Sequence, residues 1–281
     1  MYKKGDFHIH TNYSDGRYTP AEIINLTKKA HIDIIAITDH DTVAGIKDAI
    51  KWGMENNIKV IPGIEMSTTC NGESIHVIGY FRDEAHISLE FRNYLEKRHT
   101  ERLQRAEEII NRLEKYFEIR LNKEKLLKET KGIIARPHIA RAIQEAGYNF
   151  DWTYIFNHIL SEDSAAYVPN KKLHTKDALN MLETMGAFKV LAHPVLIKMN
   201  DIEELLSFGF DGIEAVYHMN TPEDTKRYTE LANQYHLIVT AGSDFHGISS
   251  TDHSHSDEIG SVYLSENQIE AFLKALNKKG V

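Results

Sequence analysis

Two histidines near the start of the chain, His8 and His10, have the spacing of a metal-binding pair. Side chains two residues apart in a β-strand point to the same face of the sheet, so both imidazoles can reach one ion. A single pair of this kind is weak evidence, because the chain contains 16 histidines. The interpretation therefore depends on whether other metal-binding side chains occupy similar positions.

Further residues of this kind stand at or beside the ends of later apolar runs. They occur as Asp15 in the first loop, then as Thr38-Asp39-His40, Gly63-Ile64-Glu65, His76, His193-Pro194 and Ser243-Asp244-Phe245-His246. So many titratable groups are costly to bury together unless cations neutralise them. The pattern therefore predicts one metal centre with nine ligands, namely His8, His10, Asp15, His40, Glu65, His76, His193, Asp244 and His246.

Short β-branched runs alternate with amphipathic stretches along most of the chain. The runs predict seven strands, at 6–9, 33–38, 59–64, 74–81, 188–192, 211–217 and 237–241. Parallel strands need helical crossovers and are buried on both faces, so the alternation favours an α/β architecture with a mostly parallel sheet. In a βα barrel the carboxyl ends of the strands meet at one mouth, which would bring the predicted ligands together.

The alternation stops between residues 84 and 175, where a long charged helix is predicted at 89–117. This segment holds 16 Lys and Arg against 14 Asp and Glu, whereas the remainder holds 17 against 27. We expect residues 84–175 to form a helical insertion, or cap domain. Residues 1–83 and 176–281 would form the barrel that carries the metal centre.

Composition limits the function classes and the partners. The formal net charge of the 281 residues is -8, which argues against binding along duplex phosphates. There is no apolar run of membrane-spanning length, and Cys70 is the sole cysteine, so we expect a cytoplasmic protein without disulfides. Walker, Gly-x-Gly-x-x-Gly and Gly-x-Ser-x-Gly motifs do not occur, so ATP, NAD and a serine nucleophile are not expected.

Taken in chain order, the ligand-type motifs resemble those of the PHP superfamily, named for polymerase and histidinol phosphatase. The resemblance implies a distorted seven-stranded (β/α)7 barrel that holds three divalent ions and hydrolyses phosphate esters. It implies a first ion on His8, His10, Glu65 and Asp244, a second on Asp15, His40 and His246, and a third on Glu65, His76 and His193. Glu65 would bridge the first and third ions.

The insertion resembles the cap of one PHP subgroup, through the Ala135-to-Arg141 segment and through Tyr167-Val168-Pro169 with the two lysines that follow. That subgroup removes the 3′-phosphate from nucleoside 3′,5′-bisphosphates, and some members shorten 5′-phosphorylated RNA. Arginine pairs with phosphate through two parallel hydrogen bonds, and lysine acts as a point charge. The resemblance therefore implies substrate binding by Arg136, His138, Arg141, Lys171 and Lys172.

Two to three divalent ions are the expected cofactors, manganese first, with iron or zinc as alternatives. Such ions lower the pKa of a bound water and neutralise charge on the phosphoryl oxygens. Asp39 is expected to orient a ligand or carry a proton. His218 is expected to protonate the leaving oxygen or to contact the substrate.

Three other functions compete with a phosphatase or exonuclease of nucleotides. Histidinol phosphatase shares the barrel ligands but does not explain the arginines of the insertion. A metal-dependent amidohydrolase usually has a bridging modified lysine, where this chain has Glu65. A non-catalytic polymerase module is disfavoured because the chain carries no polymerase domain. We therefore expect an enzyme acting on a phosphorylated small molecule or a short oligonucleotide, without membrane or duplex partners.

Overall fold

The computed structural model describes residues 2–129, 134, 136–169, 172–247 and 256–279. Nine strands occur within these residues: β1 (Lys4–Asp6), β2 (Ile34–Ile37), β3 (Lys59–Cys70), β4 (Glu73–Tyr80), β5 (Leu173–His174), β6 (Phe188–Leu191), β7 (Gly212–Tyr217), β8 (Ile238–Gly242) and β9 (Leu264–Ser265).

Ten α-helices occur in the same residues: α1 (Pro20–Lys29), α2 (Ile46–Glu55), α3 (Leu89–Phe117), α4 (Lys123–Glu129), α5 (Arg136–Glu145), α6 (Trp152–Tyr154), α7 (Thr175–Thr184), α8 (Ile202–Leu206), α9 (Pro222–Gln234) and α10 (Glu266–Lys278). A π-helical turn, Ile155–Ile159, follows α6 directly. None of the helices in the described part of the chain combines the length and the apolar character that a membrane span needs.

The nine strands form one strongly curved sheet in the order β8-β7-β6-β4-β3-β2-β1-β9, with β5 outside this order and paired with β3. Its ends approach each other, because Phe7 N donates to Ala241 O at 2.9 Å and His10 N donates to Phe245 O at 3.0 Å. These bonds join the continuation of β1 to that of β8. The predicted α/β barrel is therefore confirmed as a nearly closed barrel.

The sheet is mostly parallel, as predicted, and β4 is the main exception. This strand pairs antiparallel with both β3 and β6, so its amino-terminal half lies at the end where the neighbouring strands finish. His76 is opposite Ser67 in this pairing. The antiparallel pairing with β3 follows from Asn71-Gly72, a two-residue hairpin turn with φ of 47° and 84°, and the sequence prediction overlooked this local signal. The short strands β5 and β9 were not predicted either.

Alternate residues along β2 pack in two different cores. Ile34 and Ala36 belong to a cluster with residues of the other barrel strands, whereas Ile35 and Ile37 pack with side chains of α1 and α2. Phe272 of α10 lies in the first cluster, with its ring 4.7 Å from that of Phe7. The barrel interior is thus a packed apolar core, and its polar residues are concentrated at the mouth.

Two helix starts that the sequence marks with a threonine and a proline have the expected geometry. The Thr19 side chain accepts a hydrogen bond from Glu22 N, and the Glu22 carboxylate accepts one from Thr19 N. Thr221 and Asp224 make the same reciprocal pair at α9. These capping boxes satisfy amide groups that the first helical turn leaves unpaired.

The chain divides into two compact units, Met1–Arg92 with Lys172–Val281, and Asn93–Lys171. The second unit has an apolar core of its own that includes Leu113, Ile139 and Ile155. It begins nine residues later and ends four residues earlier than the insertion expected at 84–175. Helix α3 itself has the predicted bounds, Leu89–Phe117.

Candidate metal centre

Eight of the nine predicted ligands lie on strands of the barrel unit or just after strand ends, and Asp15 lies in the loop that follows His10. His8 and His10 follow β1, where Ile9 makes a parallel bridge with Phe245. His40 follows β2 and makes a parallel bridge with Glu65 of β3. The candidate ligands His8, His10, His40 and Glu65 are therefore attached to backbone that pairs with the sheet.

Glu65 lies at the centre of the cluster and is fully buried. Its Oε2 atom is 3.2 Å from His8 Nε2, 3.2 Å from His10 Nε2 and 3.1 Å from His40 Nδ1. Its Oε1 atom is 2.9 Å from both His76 Nδ1 and His193 Nε2. The two oxygens thus face two different sets of imidazoles, which is the arrangement of a bridging carboxylate.

Three groups of side chains have one ligand atom each within 4.8 Å of one another. They are His8, His10, Glu65 and Asp244, then His10, Asp15, His40 and His246, and finally His40, Glu65 and His76. The first group has the same members as the first ion site implied by the resemblance. The second contains the expected residues and adds His10.

The third group differs from the expected set of Glu65, His76 and His193, because it contains His40 in place of His193. His40 has one ring nitrogen on each side, with Nδ1 3.1 Å from Glu65 Oε2 and Nε2 3.7 Å from Asp15 Oδ2. His193 nevertheless contacts the Glu65 oxygen that faces His76. Both imidazoles therefore approach Glu65, and His40 is the one whose ligand atom lies within 4.8 Å of those of both Glu65 and His76.

Several buried polar atoms of the cluster make no hydrogen bond within the described part of the chain. They include His8 Nε2, His10 Nε2, His40 Nδ1 and Glu65 Oε2. Buried polar atoms are rarely left without a partner, because their desolvation costs about 1–3 kcal/mol each. Imidazole nitrogens and carboxylate oxygens suit Mn, Fe or Zn. The residues present therefore fit a divalent metal.

The carboxylates change the pKa values of the imidazoles beside them. Burial alone would lower the pKa of His8, but Glu214, Glu65 and Asp244 raise it well above the usual value. Burial acts in the same direction on His10, whose pKa Asp244 and Glu65 raise to about 10. The negative charge in this part of the cluster thus favours a bound cation, and a metal ion would have to displace these protons.

The pKa values of His40 and Glu65 are lowered rather than raised. Burial lowers the pKa of His40 to about 4, which leaves its ring neutral and able to act as a ligand. Burial opposes ionisation of Glu65, but His40, His8 and His76 hold its pKa well below the usual range. Glu65 is therefore a carboxylate under all ordinary conditions.

Two of the predicted ligands have left-handed backbone conformations, His193 with φ of 26° and Asp244 with φ of 52°. Such conformations cost about 1–3 kcal/mol each for residues other than glycine and concentrate at functional sites. The turn at Asp244 also brings its carbonyl oxygen to 2.8 Å from His246 Nδ1. His246 Nε2 then faces Asp15 Oδ1 at 3.3 Å.

Asp39, expected to orient a ligand or carry a proton, is buried and holds the loop after His10. Its Oδ1 accepts hydrogen bonds from Thr11 N and Ser14 Oγ, and its Oδ2 accepts one from Thr11 Oγ1, all at 2.7 Å. Burial raises the pKa of Asp39 despite these bonds. The carboxylate therefore fixes the segment that carries Asp15.

His218, expected as a proton donor, directly follows β7 and is half-buried. Its ring lies 4.5 Å from that of Tyr217 in an edge-on arrangement. The strand before it carries two buried polar side chains that were not predicted as functional, Glu214 and Tyr217. The sequence did contain a signal for Glu214, because an acidic residue within an otherwise apolar strand indicates a buried carboxylate with a specific partner.

The residues expected to bind substrate lie apart along the insertion. Arg136 is the first residue of α5, is half-buried, and donates from Nη1 to Leu160 O at 3.4 Å. Arg141 is exposed and lies five residues later, about 140° further round the helix, so the two arginines do not share a face. Lys172 is exposed, and Lys171 lies outside the described residues.

His138 is the remaining candidate of this group and is half-buried on α5. Sequence reasoning missed another cation, Arg105 of α3, whose Nε donates to Val168 O at 2.8 Å. Burial lowers the pKa of Arg105, and the neighbouring charge of Arg136 lowers it further. Two guanidinium groups are therefore close to one another in this unit.

Comparisons with known proteins agree with the geometry. The 5′-3′ exoribonuclease Rnm of Escherichia coli is 31% identical over 253 residues, covering 86% of this chain and 84% of that protein. A 3′,5′-nucleoside bisphosphate phosphatase of Chromobacterium violaceum is 27% identical, covering 90% of this chain and 92% of its own. A solved structure from Bifidobacterium adolescentis, inferred to be a metal-dependent phosphoesterase, has a TM-score of 0.78 at 25% identity, with 96% of each chain covered.

The PHP domain family matches residues 6–235, which include the whole insertion and seven of the nine candidate ligands, with Asp244 and His246 following this range. The chain therefore belongs to the PHP domain family and is a metal-dependent phosphoesterase.

Proposed function

We propose that the chain removes the 3′-phosphate from nucleoside 3′,5′-bisphosphates and also shortens 5′-phosphorylated RNA. The observation that carries this proposal is the contact of both Glu65 oxygens with two sets of imidazoles. The relatives named for exoribonuclease and bisphosphate phosphatase activity support a nucleotide substrate.

The nine candidate residues would hold two to three divalent ions, with manganese as the first candidate. Bound ions of this kind make a water molecule acidic near neutral pH and offset the negative charge that develops on the phosphoryl oxygens. The side chains keep these positions through bonds to the fold, as the His246–Asp244 carbonyl contact illustrates. No side-chain nucleophile is required.

Other residues of the chain are proposed to place the loop and to move a proton. Asp39 keeps the Thr11-to-Asp15 segment in place through its three hydrogen bonds. His218, at the end of β7, is proposed to donate a proton to the leaving oxygen or to contact the substrate.

Substrate selection is proposed to reside in the insertion. Arg136 would bind the phosphate that is not cleaved, helped by His138 of the same helix. Lys172, and Lys171 outside the described residues, are also proposed to bind substrate. The nearby positive charge of Arg105 supports this assignment, because an anion relieves repulsion between guanidinium groups. Arg141 points elsewhere on α5 and is the weaker candidate of the two arginines.

A comparison of three substrates tests the proposal. Manganese-loaded protein should hydrolyse a nucleoside 3′,5′-bisphosphate with a kcat/KM at least about a hundredfold above that for histidinol phosphate, since two phosphates are recognised rather than one. A short RNA should be shortened when it carries a 5′-phosphate and much more slowly when it carries a 5′-hydroxyl. Preference for histidinol phosphate, or indifference to the 5′-phosphate, would contradict the proposal.

A further inference from the structure

Strand β7 supplies none of the nine candidate ligands, yet two of its side chains contact three of them. Glu214 is fully buried and Tyr217 is buried almost completely. Buried polar groups of this kind persist when their hydrogen bonds are satisfied, and these two residues make theirs to the candidate metal centre. Both contacts are specific enough to fix the orientation of a ligand.

Glu214 uses both carboxylate oxygens. Its Oε1 lies 2.9 Å from His8 Nδ1, and its Oε2 accepts a hydrogen bond from His193 N at 2.8 Å. A proton held on His8 Nδ1 leaves the lone pair of Nε2 directed at the cluster, where that atom is 3.2 Å from Glu65 Oε2. Glu214 thus selects the ring tautomer of His8 that can bind a metal.

The second bond of Glu214 acts on a strained backbone. His193 has φ of 26° and ψ of 62°, and its N–H group points to the Glu214 carboxylate. The His193 side chain reaches Glu65 Oε1 at 2.9 Å from this conformation. The Glu214 carboxylate therefore holds both His8, which approaches Glu65 Oε2, and His193, which approaches Glu65 Oε1.

Tyr217 makes the corresponding contact with Asp244. Its hydroxyl donates to Asp244 Oδ2 at 3.0 Å. The other oxygen of Asp244, Oδ1, is then directed at the cluster, 3.3 Å from His8 Nε2 and 3.1 Å from His10 Nε2.

An irregularity in β7 explains how both side chains reach the same site. Residues three apart in a regular strand point to opposite faces. In β7 the register against β8 shifts by one residue, because Glu214 is opposite Thr240 while Val216 is opposite Ala241. This β-bulge brings Tyr217 to the face that carries Glu214.

The packing around Glu214 leaves no room for a larger neighbour. A Cβ atom added to Gly242 would lie 2.3 Å from Glu214 Oε1 and 2.1 Å from the Cβ of His8. Glycine is therefore required where β8 passes this pair. The contact between Glu214 and His8 is therefore part of the packing between β7, β8 and the continuation of β1.

We propose that Glu214 and Tyr217 are positioning residues that fix His8, His193 and Asp244 in the orientations that bind divalent metal. The proposal rests on the proposed metal-dependent function, since it takes these three residues to be ligands. Residues in such roles commonly change metal affinity by about 10- to 100-fold when replaced.

Glu214→Gln separates positioning from packing, because glutamine has the same shape but one acceptor oxygen. Its NH₂ group must then face either His8 Nδ1–H or His193 N–H, neither of which can accept a hydrogen bond. Tyr217→Phe removes the hydroxyl alone. Tyr228→Phe is the matched control, since Tyr228 is buried on α9 and contacts none of the candidate ligands within the described residues.

The test is calorimetric titration of Mn²⁺ into metal-free protein, with thermal unfolding of the same metal-free samples. Glu214→Gln should weaken Mn²⁺ binding by about 10- to 100-fold, Tyr217→Phe by about 3- to 10-fold, and Tyr228→Phe not measurably. A second readout is the ¹⁵N spectrum of the His8 ring in zinc-loaded protein. It should show a proton on Nδ1 in the unmodified protein and a changed pattern in Glu214→Gln.

Each outcome decides something different. Unmodified protein that binds no Mn²⁺ would contradict the proposed function itself. Strong binding by the unmodified protein and unchanged affinity and ring spectrum in Glu214→Gln would overturn the positioning role. If Glu214→Gln does not fold, Tyr217→Phe decides the question, and an affinity equal to that of Tyr228→Phe would overturn it.

Discussion

Replacing Glu65 by Gln is expected to lower kcat/KM for phosphate ester hydrolysis by about three orders of magnitude, the scale of losing one metal-based stabilisation of the transition state. The reason is that Glu65 Oε2 faces His8, His10 and His40, whereas Oε1 faces His76 and His193. One substitution thus affects both sets of ligands. Metal analysis of the variant should show the loss of more than one ion per chain.

His76→Ala is the informative comparison, because His76 contributes to one group of ligands and is partly exposed. This variant should lower kcat/KM by a smaller factor than Glu65→Gln does, about 10- to 100-fold. Glu230→Gln, on the exposed face of α9, controls for the chemistry of the substitution and should leave activity unchanged. Equal and small losses in Glu65→Gln and His76→Ala would argue against a bridging carboxylate.

Arg136→Ala is expected to discriminate between substrates. If Arg136 binds the phosphate that is not cleaved, the variant should lose about 1.5–3 kcal/mol of transition-state stabilisation toward a nucleoside 3′,5′-bisphosphate. Hydrolysis of a small artificial phosphate monoester and the metal content should stay nearly unchanged. Binding energy from a part of the substrate that does not react is used to position the reacting group.

Arg120→Ala provides the matched control for this prediction, because Arg120 is exposed in the same unit and is not a candidate substrate-binding residue. Its effect on the bisphosphate should be within about twofold of the unmodified protein, as expected for an exposed charge. If Arg136→Ala lowered the hydrolysis of both substrates equally, or changed neither, Arg136 would have no role in substrate specificity.

Local patterns in the sequence were sufficient for part of the fold. The long charged helix predicted at 89–117 has these bounds in α3, because the signals for a helix lie within a few residues of one another. The antiparallel direction of β4 against β3 was missed although Asn71-Gly72 marks a two-residue hairpin turn between them. The pairing of β4 with β6 joins segments that are distant along the chain, and hydrophobic periodicity carries no information on that pairing.

For the candidate site, too, part of the arrangement could be predicted from the sequence and part depends on three-dimensional geometry. Metal-binding residue types at strand ends could be identified from the sequence, whereas the position of His40 between two groups depends on side-chain geometry. Glu214 and Tyr217 were missed for a related reason. Their common orientation results from the β-bulge in β7, and a regular strand would have placed them on opposite faces.

Metal content is the most direct test of the central claim that the cluster around Glu65 is a multinuclear centre. Protein purified without chelator should contain two to three divalent ions per chain. Chelation should abolish phosphate ester hydrolysis, and added Mn²⁺ should restore both the ions and the activity. Fewer than one ion per chain, not raised by added Mn²⁺, or activity that survives complete removal of metal, would contradict the account.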